Sequence, residues 1–370
     1  MYHDLETPAL SALGFDDHFA SQFSDPDAWD RAARVAVEHR GRYLLLSSTG
    51  TREGVLSGRL RHAVGSTAEL PRVGDWVELG PLSGSGVAVI ARVLERKSSF
   101  VRRDPGDPHG LQVIAANIDA AFVVCAESGS DDDRVRLRGV NPARLERYAT
   151  AVRQSGARPV FVINKLDLAA DPEQTIAHVR AVARGAEVIA TSAFTGAGIE
   201  RLRAAIGPSE TLALVGPSGV GKSALTNRLL GREVERVGAV RSDDERGRHT
   251  TTHRELFVLT GGGLLIDTPG MRELGLSGED GDVDAGFDEI ATLGSECRFR
   301  DCRHAGEPGC AVITAIARGE LDERRLWSRQ KLEREIEHAR QKLDPRARAA
   351  QKRMFKTRAR AHRLRDKMGK

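Results

Sequence analysis

Three domains of different classes are predicted for this chain of 370 residues: a small closed β-barrel, an α/β domain with a mostly parallel sheet, and a short helical module. Three observations predict them. Five short β-like runs, punctuated by Gly, Ser, Thr and Pro, fall within residues 31–108. Over residues 109–285 apolar runs alternate with amphipathic stretches, the pattern of a parallel sheet with helices on both faces. Within residues 286–345 a Cys/His-rich loop precedes helical spacing that stops at Pro345. The length suits two or three domains, each with its own core.

Composition excludes several classes. No apolar run approaches the roughly eighteen residues that a membrane-spanning helix needs. The first thirty residues hold no Lys or Arg, so the charged start of a secretory signal is missing. Of four Cys, three lie within fourteen residues, which argues for a reducing cytoplasm rather than a disulfide scaffold. The net charge of +4 conceals an asymmetry. Residues 1–30 carry seven acids and no strong base, and read as a flexible acidic extension. Residues 340–370 carry thirteen Lys or Arg against two acids, and the middle of the chain is neutral. The basic tail, 346–370, suits either a polyanionic partner or a solvated terminus.

In the barrel the runs are "RVAVEH", "GRYLLLSS", "REGVLSGRLRH", "VGDWVELG" and "GVAVIARVL". Five strands in this length suit an OB-type barrel, although an SH3-like barrel would read much the same. OB barrels often bind nucleic acid, an analogy of fold and not an argument from a site. In the α/β domain the order is strand "DAAFVVCA", helix 142–156, strand "RPVFVIN", a helix ending at Gly185, strand "AEVIATS" and helix "GIERLRAAI". Strand "ETLALVG" follows, then a loop and helix, then the strand pair "RELFVLT" and "GGLLIDTPG".

The chemistry sits at the ends of these strands. Gly216, Pro217, Ser218, Gly219, Val220, Gly221, Lys222 and Ser223 spell a P-loop between a strand and a helix that continues through Ala224. Its glycines let backbone N–H groups curl around a phosphate at the positive end of the helix. Lys222 would reach the β and γ phosphates, and Ser223 would hold Mg²⁺. A chance Gly-rich turn is disfavoured by this context. Asn164, Lys165, Leu166 and Asp167 form an NKxD element after a strand. Its carboxylate can accept both the N1–H and the exocyclic amine of guanine, donors that adenine does not present together, so the nucleotide is GTP. Ser192 and Ala193, after Thr191, resemble an auxiliary base-contacting loop. Asp267 and Gly270 bracket a DxxG element, with Asp267 reaching Mg²⁺ through water and the Gly270 N–H reaching the γ-phosphate. Between P-loop and DxxG lies "RGRHTTTHREL". Thr251 is the first choice for a Mg²⁺-binding switch threonine and Thr250 the alternative.

The order of these parts is base, auxiliary loop, phosphates, switch I, DxxG. Moving the last part of a GTPase domain in front of its first produces that order, so the domain is predicted to be a circularly permuted P-loop GTPase. Cys297, Cys302, His304 and Cys310 follow, and three thiolates with one imidazole suit one tetrahedral structural Zn²⁺. Three incidental cysteines and a surface His are the bland alternative. Cys125, in an apolar strand, reads as packing. Leu332, Ile336, Ala339 and Leu343 then show helical spacing. Many GTPases place Gln just after DxxG to orient the attacking water, but this chain has Met271, which cannot. His249 is therefore the candidate catalytic group, with contact to phosphate or a partner as its rival role. Arg248 is a further candidate for stabilising charge.

On "RVGDWVEL", the permuted order, "GRHTTT" and "CRFRDCRHAGEPGCAV", the chain resembles the RsgA family of ribosome small-subunit-dependent GTPases over about residues 31–345. The resemblance implies an OB barrel, a permuted GTPase domain and a zinc domain that grips the 30S subunit through 16S rRNA. It implies late small-subunit maturation, with slow GTP hydrolysis to GDP stimulated by the subunit; the chain is expected to be a cytoplasmic monomer. The family's switch histidine maps to His249, and its zinc ligands to Cys297, Cys302, His304 and Cys310. The acidic stretch 1–30 is not covered. Two other readings compete. A P-loop ATPase or nucleoside kinase is disfavoured by NKLD and by the lack of a second substrate lid. A nucleotide-gated protein acting on another RNA keeps the same motifs.

Overall fold

The barrel strands are β1 (Ala32–His39), β2 (Arg42–Ser47), β3 (Gly50–Leu56), β4 (Trp76–Leu79) and β5 (Ala88–Val93). In the computed structural model, which describes residues 9–39, 41–64, 67–80, 86–103, 111–127, 140–217, 219–232, 254–267 and 287–343, they pair in the order β1-β2-β3-β5-β4, and β4 returns to β1. That last pairing closes an OB-type barrel and removes its sheet edges. Alternation sends Ala33, Val35, Tyr43, Leu45, Val77 and Ile90 into its core. The run 52–62 is not one strand, as its apolar residues suggested. Ser57 ends β3 and caps a helix over Gly58–Ala63, its hydroxyl accepting the Leu60 N–H at 3.0 Å.

The expectation of a free acidic extension fails for its described part. Short helical turns span Leu10–Leu13, Asp17–Ala20 and Pro26–Arg31. Leu13, Phe19 and Phe23 are buried, and the Phe15 ring meets the barrel's Trp76 edge-on at 5.0 Å. Two of the acids are caps: Asp16 accepts the His18 N–H and Asp25 the Asp27 N–H. Acidity here starts turns, while aromatic side chains spaced four apart do the packing.

Between barrel and α/β domain lies a separate two-stranded sheet, β6 (Ser99–Arg103) with β7 (Leu111–Ala116), that the sequence reading did not single out. The main sheet then uses β8 (Ala120–Ala126), β9 (Arg158–Asn164), β10 (Val188–Ala190), β11 (Thr211–Val215), β12 (Glu255–Val258) and β13 (Leu264–Asp267). Their spatial order is β10-β9-β8-β11-β13-β12, parallel except for β12. Counted from β11, the strand leading into the P-loop, and wrapping from β13 to β8, the order reads 2-3-1-4-5-6. Chain order is rotated while spatial neighbours are kept. Val37 of β1 pairs with Glu255 of β12, so barrel and main sheet are hydrogen-bonded into one.

Two compact units result: Met1–Arg102 with Leu111–Gly275, and Arg103–Gly110 with Leu276–Lys370. In the second, helices over Asp288–Ser295, Ala311–Ala317 and Glu323–Leu343 close on Phe287, Ile290, Val312, Ala315, Leu326 and Leu332. Arg325 stacks on Phe287 at 4.2 Å and donates to Glu289 at 2.8 Å, which ties the long helix to the first.

Candidate nucleotide site and metal centre

In a parallel sheet, ligands bind beyond the carboxyl ends of the strands. The ends of β8, β9 and β11 bring the predicted elements together. Gly216 leaves β11 with φ +145°, and a Cβ there would sit 2.3 Å from the Val124 carbonyl oxygen, so only glycine fits. Gly221 starts the helix Lys222–Leu230 at φ +91°, and a Cβ there would lie 2.3 Å from Asn164 Nδ2. Close approach of two loops, not flexibility, is what these glycines provide. Lys222 Nζ donates to the Gly216 and Pro217 carbonyls at 2.9 and 2.8 Å, across the mouth of the loop. Ser223 and Ala224 lie in the first turn of that helix.

Asn164 ends β9 and is 1% exposed. Its Nδ2 donates to the Val220 carbonyl at 2.8 Å, and its Oδ1 accepts the Ala193 N–H at 3.0 Å. One amide side chain thus joins the NKLD loop, the P-loop and the loop at Ala193. Lys165, at φ +59°, donates through Nζ to the Gly219 carbonyl at 2.8 Å. The Leu166 N–H donates to the Thr191 carbonyl at 3.1 Å, and Asp167 is left exposed in the turn Leu166–Leu168. Ser192 Oγ accepts the Thr195 N–H at 3.1 Å and shapes the auxiliary turn.

The sequence reading missed one residue of this assembly. Arg228, on the P-loop helix, donates to the Ala193 carbonyl at 2.8 Å and the Phe194 carbonyl at 3.0 Å. No motif marks it; only the fold brings it under the auxiliary loop. Asp267 ends β13 opposite Glu255. Ser218, Arg248, His249, Thr250, Thr251, Gly270 and Met271 lie outside the described residues. Cys125 is buried in β8, which pushes its thiol up to about 12, and packing is its role.

The ligand atoms of Cys297, Cys302, His304 and Cys310 lie within 4.8 Å of one another. His304, at φ +56°, turns Nδ1 to 3.4 Å from Cys310 Sγ and 3.7 Å from Cys297 Sγ. Cys310 caps the helix Ala311–Ala317, its sulfur accepting the Ile313 N–H at 3.5 Å. Burial pushes the Cys297 thiol up, but N–H donors of Ala311 and Val312 at the same helix start hold it below the usual thiol range. Glu307 accepts the Arg303 and Ala305 N–H groups at 3.0 and 2.7 Å, bracing the turn that carries His304. Three sulfurs and one imidazole nitrogen at this spacing can hold a metal ion, and the soft donors fit Zn²⁺.

A P-loop after one parallel strand, an NKxD loop clamped onto it, and a rotated chain order define a circularly permuted GTPase. The RsgA GTPase family model matches residues 93–277. The small ribosomal subunit biogenesis GTPase RsgA of Opitutus terrae is 46% identical over 347 residues, 91% of this chain and 92% of its own. Its counterpart in Syntrophotalea carbinolica is 39% identical over 94% of this chain and 95% of its own. The crystal structure of YjeQ from Thermotoga maritima superimposes with a TM-score of 0.62 at 26% identity, covering 83% of this chain and 98% of that one. The protein belongs to the RsgA family and is a GTPase, hydrolysing GTP.

Proposed function

We propose that this GTPase binds the 30S ribosomal subunit through 16S rRNA, acts in late small-subunit maturation, and hydrolyses GTP to GDP and phosphate faster on the subunit. The observation that carries this reading is the 46% identity, over nine-tenths of the chain, to a relative named for small ribosomal subunit biogenesis. The OB barrel and the metal module supply shaped surfaces for RNA, and the basic tail adds charge. The protein works in the cytoplasm as a monomer. Among the described residues no helix is long and apolar enough to cross a membrane.

Within the site, Asp167 reads the guanine edge while Asn164, Lys165 and Leu166 hold its turn, and Ser192 and Ala193 complete the base pocket. Gly216, Pro217, Ser218, Gly219, Val220 and Gly221 wrap the phosphates, with Lys222 as their counter-charge and Ala224 continuing the helix. Mg²⁺ would be held by Ser223 and Thr251, with Thr250 beside it and Asp267 acting through water, and it would neutralise phosphate charge. Gly270 touches the γ-phosphate, and His249 positions the attacking water. One structural Zn²⁺ per chain sits on Cys297, Cys302, His304 and Cys310.

GTP turnover is measured alone, with 30S subunits and with unrelated structured RNAs. Stimulation confined to the subunit is the expected result. Equal stimulation by other RNAs would instead support a nucleotide-gated protein with a different RNA target. In the same assay His249→Ala should keep GTP affinity and lower stimulated kcat by about 100-fold, a typical loss for one positioned catalytic group. If stimulated turnover survives the substitution, the partner positions the water.

A further inference from the structure

Arg34 lies on β1 between Ala33 and Val35, which point into the barrel core, so its own side chain points outward. An outward position on a barrel ordinarily meets water, yet Arg34 is 1% exposed. Its guanidinium donates to four separate parts of the chain. Nε reaches the Gly74 carbonyl at 3.2 Å, Nη1 the Leu13 carbonyl, and Nη2 both the Asn117 carbonyl at 3.0 Å and Thr211 Oγ1 at 2.7 Å. The Trp76 ring lies alongside, 5.7 Å away. None of these acceptors is a carboxylate. Asp119, Asp75 and Asp16 favour the charge electrostatically, but a buried cation whose direct acceptors are all neutral is a costly way to join two domains, because apolar side chains of similar volume would pack as well. A rigid guanidinium fork provides fixed relative geometry instead.

The acceptors say which geometry is fixed. Thr211 opens β11, which runs directly into Gly216 and the phosphate loop, and Asp119 Oδ2 accepts its N–H at 2.7 Å. Three residues beyond Arg34 on the same strand, Val37 pairs with Glu255, the first residue of β12. That strand follows the stretch holding His249 and Thr251 in sequence. One barrel strand is therefore bonded both to the strand that leads into the phosphate loop and to the strand that follows switch I.

We propose that β1 is the mechanical link through which RNA held by the barrel alters GTP turnover, with Arg34 as the positioning residue that locks this strand to β11. The inference rests on the reading that the barrel engages rRNA. It requires that displacement of β1 be felt at two loops flanking the nucleotide.

The test uses the full chain, unaltered or carrying Arg34→Met, which keeps the stem and loses the fork, or Thr211→Val, which loses one hydroxyl and keeps shape. Turnover with and without 30S subunits, co-sedimentation with subunits, and amide exchange with GDP bound are compared. Unstimulated turnover and co-sedimentation should stay within about twofold, while the stimulated-to-unstimulated ratio falls about tenfold for Arg34→Met and about threefold for Thr211→Val, a usual size for coupling between sites. Exchange should quicken in Leu212–Val215 and Leu256–Val258 but not in Val160–Ile163. An unchanged ratio in both variants overturns the proposal. Equal loss of stimulated and unstimulated turnover also overturns it, since that marks Arg34 as structural only. Should Arg34→Met fail to fold, Thr211→Val decides alone. If subunits neither bind nor stimulate the unaltered protein, the proposed function falls instead. The exchange pattern then decides the coupling, and unaltered exchange in β11 and β12 overturns it.

Discussion

Asp167 is exposed in the NKLD turn while its neighbour Asn164 is buried and bonded to two other loops. The two residues therefore have separable roles. Asp167→Asn should preserve the fold and shift preference from guanine towards xanthine nucleotides, since the new amide can donate to the xanthine carbonyl. Competition binding with GDP and XDP checks this, and unchanged guanine selectivity would relocate the base site. Asn164→Ala, by contrast, strips the Val220 carbonyl and the Ala193 N–H of their partner and should loosen all three loops together. At the metal centre, Cys302→Ser exchanges a soft thiolate for a poor ligand. Zinc content, expected at one per chain, should drop towards none, with loss of helical signal from the second unit, read by metal analysis and circular dichroism. Unaltered protein purified without chelators and found free of zinc would remove the metal assignment.

At the scale of elements, the N-terminal turns are part of the barrel's packing. Phe15, Phe19 and Phe23 recur every fourth residue and cluster against Trp76, with Lys97 also paired to Asp16 and lying 5.0 Å from the Phe19 ring. Phe19 is 1% exposed, so Phe19→Ala removes a whole buried ring. A loss of about 3 kcal/mol is expected from transfer and cavity costs together. Urea unfolding followed by tryptophan fluorescence reports it, and a loss below about 0.5 kcal/mol, the scale of a surface substitution, would mean these turns are only draped on the barrel.

For the whole molecule, charge is distributed by region: residues 1–30 carry seven acids and no strong base, while residues 340–370 carry a net +11. Of the described acids in the first segment, Asp16 and Asp25 are engaged in caps and Asp16 also pairs with Lys97, whereas 346–370 lies outside the described residues. Contacts between such a tail and rRNA would release counterions, so binding should weaken steeply with salt. Deleting 346–370 should lower 30S co-sedimentation and flatten its salt dependence, leaving GTP affinity unchanged. An unaltered salt slope would assign the tail to solvent. A large loss of GTP affinity would show that it packs on the GTPase domain.

Local rules made much of this protein legible. The P-loop, NKLD and Cys297–Cys310 are short strings whose chemistry is carried by neighbouring residues, and their rotated order could be read without knowing where any strand lies. The helices read from 142 and towards Gly185 are there, and the structure starts them on the caps Asn141 and Asp171, each followed by Pro. Where several distant segments share one contact, the sequence was silent. Nothing in "RVAVEH" announces that its Arg is buried, because that depends on Leu13, Gly74, Asn117 and Thr211 arriving from four places. Arg228 is equally unmarked until the auxiliary loop lies above it. The acidic start looked unfolded because net charge was visible and the partner ring, Trp76, was sixty residues away. Chemistry that one segment carries alone was set by the sequence. Burial and the joining of barrel to sheet were decided by tertiary structure, because each is a sum over residues that only the fold makes neighbours.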